Sequence, residues 1–413
     1  MRITNEKLGN IIETLTDYHA NGSYEKLKEN VELLPSENYA VMIRTTNFSQ
    51  NNFYENLNYI TESAYNYLKK SKVYAGDIVM NKIADAGACY FMPEIKKPVS
   101  LGMNLFLIRI NKQLANSFFI YSYLKFHEFY VKSFASGSAT KTITKEDVRK
   151  LKIYLPEIGE QQKIANILET WDKAISTTER LIDNSKQQKK ALMQQLLTGK
   201  KRLLDDSGKP FEGEWKEIEV GQLTKIYDGT HSTPKYVEEG VPFYSVEHLT
   251  RNDFSRTKFI SEDVFEKENK RVKLERNDIL MTRIGDIGTA KCLTWDVQAS
   301  FYVSLALFKS NVQFDSNYLT YYINSKDFHR ELWKRTIHVA FPKKINLGEI
   351  SHCLVQLPPL VEQVKIAAIL TSADQEIELL EQQLADLKQE KKALMQQLLT
   401  GKRRVKVDDK EVA

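Results

Sequence analysis

Apolar positions recur in this chain with two different spacings. In one stretch Ile164, Leu168, Trp171, Ile175, Ile182, Leu192 and Leu196 follow alternating steps of four and three, broken at Thr178, Ser185 and Lys189. A second stretch keeps the rhythm more cleanly, through Ile366, Leu370, Ala373, Ile377, Leu380, Leu384, Leu387, Leu394 and Leu398. Such a stripe on an otherwise polar sequence predicts a long amphipathic helix with a coiled-coil-like seam. Pro156 opens the first helix, and Pro358 and Pro359 the second; Gly199 and Gly401 stand where C′ glycines end helices. The basic clusters that follow, Lys200, Lys201 and Arg202, then Lys402, Arg403 and Arg404, are expected to complement the C-terminal helix dipoles. At 1.5 Å per residue each helix would be roughly 60 Å long. Neither stripe can stay in water, so each is the other's expected partner. Connectivity makes that pairing antiparallel, with one globular part at each end and a pseudo-two-fold relation across the middle.

Elsewhere the spacing shortens. "NYAVMIRTTNF", "DIVMNKI", "LFLIRI" and "DILMTRI" are short apolar or alternating runs that predict strands. "ANSFFIYSYLKFHEFYVKSFA" and "SNYLTYYINSKDFHRELWKRT" predict aromatic-rich helices whose rings serve the core. Loops rich in Gly, Ser, Thr and Lys lie between, among them "SGSATKTIT" and "YDGTHSTPKY". The expected fold class is α+β: two mixed α/β globular domains joined by two long antiparallel coiled-coil helices. The expected boundaries are 1–152 and 204–354 for the globular domains, 153–203 and 355–405 for the helices, and a tail at 406–413.

The pattern is also a repeat. "KKALMQQLLTGK" occurs twice, 202 residues apart, and at that offset residues 155–200 align with 357–402 without a gap, 26 of 46 positions being identical. Weaker echoes pair "GDIVMNKIADAG" with "NDILMTRIGDIG", and "SLGMNLFLIRI" with "SFYVSLALFKS". A period this long means duplicated domains, not a solenoid. Packing explains Leu192, Leu196, Leu394 and Leu398. It does not explain why Lys189, Lys190, Gln194 and Gln195 return as Lys391, Lys392, Gln396 and Gln397. Identical polar faces at equivalent places suit two copies of one partner, each docking once; the alternative is that recent duplication or recombination homogenised the segment. These eight residues are therefore the candidate subunit-docking set.

Composition narrows the function mainly by exclusion. Net charge is +5 over 413 residues, only mildly basic. Residues 1–152 carry 20 basic and 15 acidic side chains, but 204–354 carry 21 and 23, so bulk charge cannot argue for nucleic acid; local clusters must. The three cysteines, Cys89, Cys292 and Cys353, form no C-x-x-C pair and point to a reducing, cytoplasmic setting. No apolar run is long enough to span a membrane, and no signal-peptide profile opens the chain. A phosphate-cradling G-x-x-x-x-G-K-[ST] loop, a G-x-G-x-x-G turn and the Asn/Asp-Pro-Pro-aromatic tetrapeptide of amino-methyltransferases are all missing, and the seven histidines lack metal-ligand spacing. The Glu-x-Lys of "PEIKK" reads as a solvated loop. No catalytic or metal-ligating residue is expected.

With these residues in view, the sequence resembles the DNA specificity subunits of type I restriction-modification systems. The resemblance rests on "SGSATKTITKEDVRKLKIYLPEIGEQQKIANILETWDKAI", on its counterpart "LPPLVEQVKIAAILTSADQEI", on the two "LMQQLLTGK" ends, and on the Gly-Asp-Ile-Val and Asn-Asp-Ile-Leu strands. It covers essentially the whole chain. It implies two target recognition domains, each reading half of a split, asymmetric double-stranded DNA site. It further implies spacer helices that dock two modification (methyltransferase) subunits and, through them, restriction subunits. This chain would then be non-catalytic and hold no cofactor itself; S-adenosylmethionine, ATP and Mg would belong to the partner subunits, and no membrane would be involved.

Candidate DNA contacts come from positions after predicted strands and from the Gly-containing loop at Ser136–Thr144, with comparable places in the second domain. In the first domain they are Arg44, Thr45, Thr46 and Asn47, then Lys82, then Ser138, Thr140 and Lys141. In the second they are Thr230, His231, Ser232 and Lys235, then Arg283, then His338, Lys343 and Lys344. Arg and Lys can grip guanine edges or phosphates, and Asn can pair with adenine. Taken singly, each could equally be a solvated loop side chain. The rival reading is a non-enzymatic scaffold, with two end domains on a helical strut that bind proteins or glycans. A self-contained DNA enzyme would need the missing motifs.

Overall fold

The computed structural model describes residues 4–406, so all but the first residue of the expected tail at 406–413 lie outside the described residues. The chain forms two compact units. The first takes residues up to Thr178 together with those from Gln383 onward, and the second is Glu179–Gln382. The helical stretches are thus divided between the units, each unit holding one globular part and a portion of both helices.

In the first unit, Thr4–Lys7 pairs antiparallel with Lys152–Leu155 and so closes the globular part. Its main sheet has four antiparallel strands in the order Ile12–Asp17, Leu105–Ile110, Ile78–Asn81, Cys89–Phe91. A second sheet runs Asn58–Ile60, Ala40–Ile43, Val99–Leu101, Lys72–Val73, with Ala40–Ile43 parallel to Val99–Leu101. The main sheet is buried on both faces, which accounts for its near-continuous apolar runs. Alternate residues go to opposite sides of a strand. Ile78, Met80, Phe106 and Ile108 accordingly join the core under the helices, whereas Val79, Leu105 and Leu107 pack toward the second sheet with Val41, Ile43 and Leu101.

The second unit repeats this plan. Lys216–Glu219 pairs with Leu354–Leu357, and the main sheet runs Ile226–Asp228, Leu305–Phe308, Ile279–Ile284, Asp286–Cys292. Ile279, Met281, Ala306 and Phe308 face the helices, and Leu280, Leu305 and Leu307 face away from them. Each predicted aromatic helix is in fact two. Ser117–Phe126 breaks at His127 before Glu128–Lys132, and Ser316–Ile323 is separated from Lys326–Arg335 by Asn324 and Ser325, whose Oγ caps the Phe328 N–H. Phe119, Tyr318 and Phe328 are fully buried, as expected of core rings, but Phe129 and Trp333 are exposed.

The Gly-Asp and Asn-Asp that precede the central strands have a local cause. Gly76 and Asn277 sit at φ of 86° and 68°, a left-handed turn that Gly and Asn tolerate best. The following Asp77 and Asp278 accept the backbone N–H of Tyr74 and Glu275 at 2.8 Å and pair with Arg109 and Lys309 at 2.7 and 2.6 Å. These turns launch Ile78–Asn81 and Ile279–Ile284 toward the loops where the candidate residues lie.

The long helices are Ile158–Leu196 and Leu360–Leu398, 39 residues each. Gly199 and Gly401 have φ of 67° and 71°, and their N–H groups donate to Leu196 O and Leu398 O at 3.4 and 3.3 Å, the five-to-two bond of a Schellman end, as the glycines predict. Lys201 N and Arg403 N reach back further, to Gln195 O and Gln397 O at 3.1 and 3.0 Å. Within each unit the helices run antiparallel. In the second, Lys186 meets Glu381 while Lys189 meets Asp374; in the first, Glu160 meets Arg404 while Asp172 meets Lys391.

Candidate nucleic-acid interface and the repeated helix ends

In the first unit the candidate DNA residues converge on the strand end at Asn81–Ala84. Lys82 N donates to Asn104 O, and its own carbonyl accepts from Ile143 N at 3.1 Å. Ala84 N donates to Lys141 O at 3.1 Å, and Ser136 and Thr142 close a small hairpin through reciprocal bonds of 2.8–2.9 Å. Thr45 Oγ1 donates to Asn81 Oδ1 at 3.0 Å, which ties the loop after Ala40–Ile43 to the same point. Arg44, Thr46, Ser138, Thr140 and Lys141 are exposed around it.

The second unit builds the same junction from other side chains. Gly285 N donates to Lys343 O at 2.8 Å and Ile345 N to Arg283 O at 3.0 Å, while Ile337 and Lys344 close the hairpin. The 228–231 turn is held beside it by Thr230 N to Phe301 O and Val303 N to Thr230 O. His231, Ser232, Lys235, His338, Lys343 and Lys344 are exposed.

Three candidates do not present themselves as expected. Asn47 is buried: its Oδ1 accepts Arg44 N at 2.8 Å and its Nδ2 donates to Asn52 O at 3.1 Å, so its amide shapes the loop instead of meeting adenine. Thr230 is buried by the backbone ladder just described. Arg283, 8% exposed, spends its guanidinium on Ile345 O and Val303 O at 3.1 Å and on Asp228 at 3.4 Å. Burial first, only partly offset by Asp228, lowers its pKa from the usual arginine range. Lys82 is intermediate, half-buried with Nζ 3.1 Å from Asp17.

The residues that sequence reasoning missed are the acids behind these bases. Asp17 accepts from Lys82 and Lys145, each at 3.1 Å; Asp228 holds His231 at 2.9 Å and Arg271 at 2.8 Å besides Arg283. Burial alone would raise both carboxyls, but the Lys145 and Lys82 bonds to Asp17, and the Arg271 bond and His231 charge at Asp228, overcome it and hold them below the ordinary range. Each acid ends the first strand of its main sheet, a shared position that the repeat alignment does not reach.

The repeated helix ends serve the protein's interior more than the polar pattern implies. Leu196 and Leu197 belong to the second unit's core, with Leu192 and Met193 against it; Leu398 and Leu399, flanked by Leu394 and Met395, belong to the first. Lys189 and Lys391, expected to dock a partner, are half-buried and paired with Asp374 and Asp172. Both acids are also identical at the 202 offset. Tyr321 Oη adds a 2.8 Å bond to Asp374. Lys190, Gln194, Gln195, Lys392, Gln396 and Gln397 remain exposed.

The Glu-Gln pairs are likewise structural. Gln161 accepts Asn116 N and donates to Pro156 O at 2.9 and 2.7 Å, and Gln363 accepts Asp315 N and donates to Pro358 O at 2.9 and 2.8 Å. Glu362 takes Arg202 through Nε and Nη2 at 2.9 and 2.8 Å. Arg202 and Arg404 therefore reach carboxylates on the opposite helix, a correction to their expected role at their own helix dipole. Among the described residues no His/Cys/Asp/Glu group is arranged to hold a metal, and no helix is long and apolar enough to cross a membrane.

An antiparallel main sheet with a basic, loop-lined strand end is built twice, which defines a duplicated two-domain architecture with surfaces of the kind that meet nucleic acid. The model of the type I restriction modification DNA specificity domain matches residues 7–185 and again 212–389. The type I restriction enzyme MjaVIII specificity subunit of Methanocaldococcus jannaschii is 30% identical over 313 residues, 72% of either chain. The putative MjaX specificity subunit of the same organism is 30% identical over 324 residues, 74% of this chain and 72% of that one. The crystal structure of the type I system S subunit from M. genitalium shares the fold at a TM-score of 0.60 and 15% identity, across 97% of this chain and 96% of that one. The chain belongs to the type I restriction modification DNA specificity family, carries its domain twice, and serves DNA target recognition as a specificity subunit.

Proposed function

We propose that each unit reads one half of a bipartite, asymmetric DNA site, with the exposed loop residues around the Lys82 and Arg283 strand ends as the reading surface. One observation carries this: the same junction is assembled twice with unlike rims. Arg44, Thr46, Ser138, Thr140 and Lys141 surround one, and His231, Ser232, Lys235, His338, Lys343 and Lys344 the other. Identical scaffolding under divergent side chains is what two different half-sites require. Buried Asp17 and half-buried Asp228 fix the basic side chains behind the rim, so the outer side chains meet DNA from a pre-set frame.

The long helices set the gap between half-sites and dock two modification subunits through the exposed repeat face, Lys190, Gln194 and Gln195 with Lys392, Gln396 and Gln397. Restriction subunits join through them. Chemistry resides in those partners, which bind S-adenosylmethionine, ATP and Mg, while this chain contributes no catalytic group. The protein works in the cytoplasm.

The test is a footprint and salt titration of the chain with its modification subunits on DNA carrying the motif found by methylome sequencing. Expected are protection of two separated half-sites, affinity that falls steeply with salt, and a changed tolerated gap when four residues are inserted into both helices. A scaffold for proteins or glycans would leave no sequence-selective footprint.

A further inference from the structure

The two reading junctions differ in one respect that charge does not describe. The hairpin of the first unit crosses its tip with Gly137, Ser138, Ala139 and Thr140, all exposed and none large. The corresponding hairpin of the second unit carries Val339 and Phe341, with relative exposures of 96% and 104%. A phenylalanine in full contact with water is a standing cost that a soluble surface ordinarily avoids. Phe308 and Phe328 in the same unit are wholly buried.

Nor is the tip a loop waiting to fold down. Its base is fixed by Ile337 N to Lys344 O and Gly285 N to Lys343 O, both 2.8 Å, and by Ile345 N to Arg283 O at 3.0 Å. His338 is held from below, its Nε2 3.0 Å from Trp333 O and its ring 4.1 Å from the indole. Lys343 lies 5.1 Å over the same indole. The tip is an apolar point on a hydrogen-bonded base, with exposed His338, Lys343 and Lys344 at its foot.

We propose that Phe341 is a wedge that enters the base stack at the second half-site, while Lys343 and Lys344 hold the flanking phosphates. This rests on the DNA-reading function proposed above. Proteins that kink DNA push a Phe, Leu or similar side chain between base pairs, and the expense of unstacking depends on the step. Pyrimidine–purine steps open most readily. The wedge therefore adds preference for a flexible step without any hydrogen bond to a base edge. The cationic foot favours nucleic acid over a hydrophobic protein groove. The polar tip of the first unit confines the device to one half-site.

The experiment places 2-aminopurine at successive positions of the second half-site and compares wild type with F341S and F341L, each bound with its modification subunits. Wild type brightens one position; F341S loses that signal and binds the specific site about tenfold more weakly, with non-specific affinity unchanged; F341L keeps most of both. K343A/K344A weakens specific and non-specific binding alike. Specific binding by wild type with no brightened position, or brightening that survives F341S, overturns the wedge and leaves the reading function standing. Loss of modification-subunit binding in F341S with normal DNA binding also overturns it, in favour of a protein-docking tip. Absence of any sequence-selective binding by wild type overturns both.

Discussion

Arg404 grips Glu160 across 244 residues of sequence, its Nε 2.8 and 3.1 Å from the two carboxylate oxygens and its Nη2 2.5 Å from Oε2. Val405 N adds a third donor at 3.0 Å. Glu160 is 1% exposed. The last described residues of the chain thus complete the start of the first long helix, as Arg202 completes the second at Glu362. The helix ends are repeated because each must fit a carboxylate that is also repeated.

Removing the guanidinium leaves Glu160 buried and short of donors. Breaking a buried pair costs about 3–5 kcal/mol; Arg404 itself is partly open to water, so R404A is expected near or below the low end, about 2–3 kcal/mol. The chain should unfold at lower temperature and denaturant concentration. In a double-mutant cycle, E160A/R404A should lose clearly less than the sum of the single changes.

Acid should release the same contact. Burial alone would raise the Glu160 carboxyl, but the Arg404 and Val405 bonds overcome this and hold it below its ordinary value of 4.5. A group with a depressed folded pKa stabilises fully above its unfolded value, and that contribution disappears as pH falls through the folded one. Asp17 and Asp228 act in the same direction. Wild-type stability should therefore decline progressively below about pH 4.5, and R404Q should show a shallower decline over that range in a series of thermal melts.

Much of this architecture is legible in the sequence, because it follows from periodicity. The helix limits, the terminal glycines, the central strands and the duplication are all written in spacing and identity. Ion-pair partners are not. Nothing local joins Lys189 to Asp374 or Arg202 to Glu362; only the fold brings them together, so a repeated lysine looks like a docking residue when it is half-buried. The same blindness affects the DNA set. Position after a strand, or in a Gly-containing loop, selects Arg44, Lys82 and Lys141, which the fold brings to one junction, yet it cannot tell that Asn47 and Arg283 turn inward. The alternating pattern finds core rings such as Phe119 but gives no warning that Phe341 stands in water, since a hairpin tip has no periodicity.

Arg44 and Arg283 should behave as different kinds of arginine. R44A, exposed on its loop, should leave the melting temperature unchanged, weaken specific binding by about 1–3 kcal/mol and relax selectivity at one base of the first half-site. R283A removes a buried side chain bonded to Ile345, Val303 and Asp228. It should lower stability and weaken second-half-site binding only through that loss. Binding to a panel of single-base variants, run beside melts of each protein, separates the two; an R283A protein of normal stability that selects bases differently would reverse the assignment.

The repeated lysines divide in the same way. Lys189 and Lys391 face acids on the opposite helix, whereas Lys190 and Lys392 face solvent. Partly exposed ion pairs contribute little, so K391A should cost under about 1 kcal/mol, and the reversed pair K391D/D172K should recover part of that. Neither change touches the exposed face, so modification-subunit binding should survive both. K190E/K392E instead changes charge only on the outer surface. It should leave the melting temperature within error and weaken capture of modification subunits, as read by titration and by the mass of the assembled complex. Full assembly by K190E/K392E together with failed assembly by a stably folded K391D/D172K protein would move the docking face onto the seam between the helices.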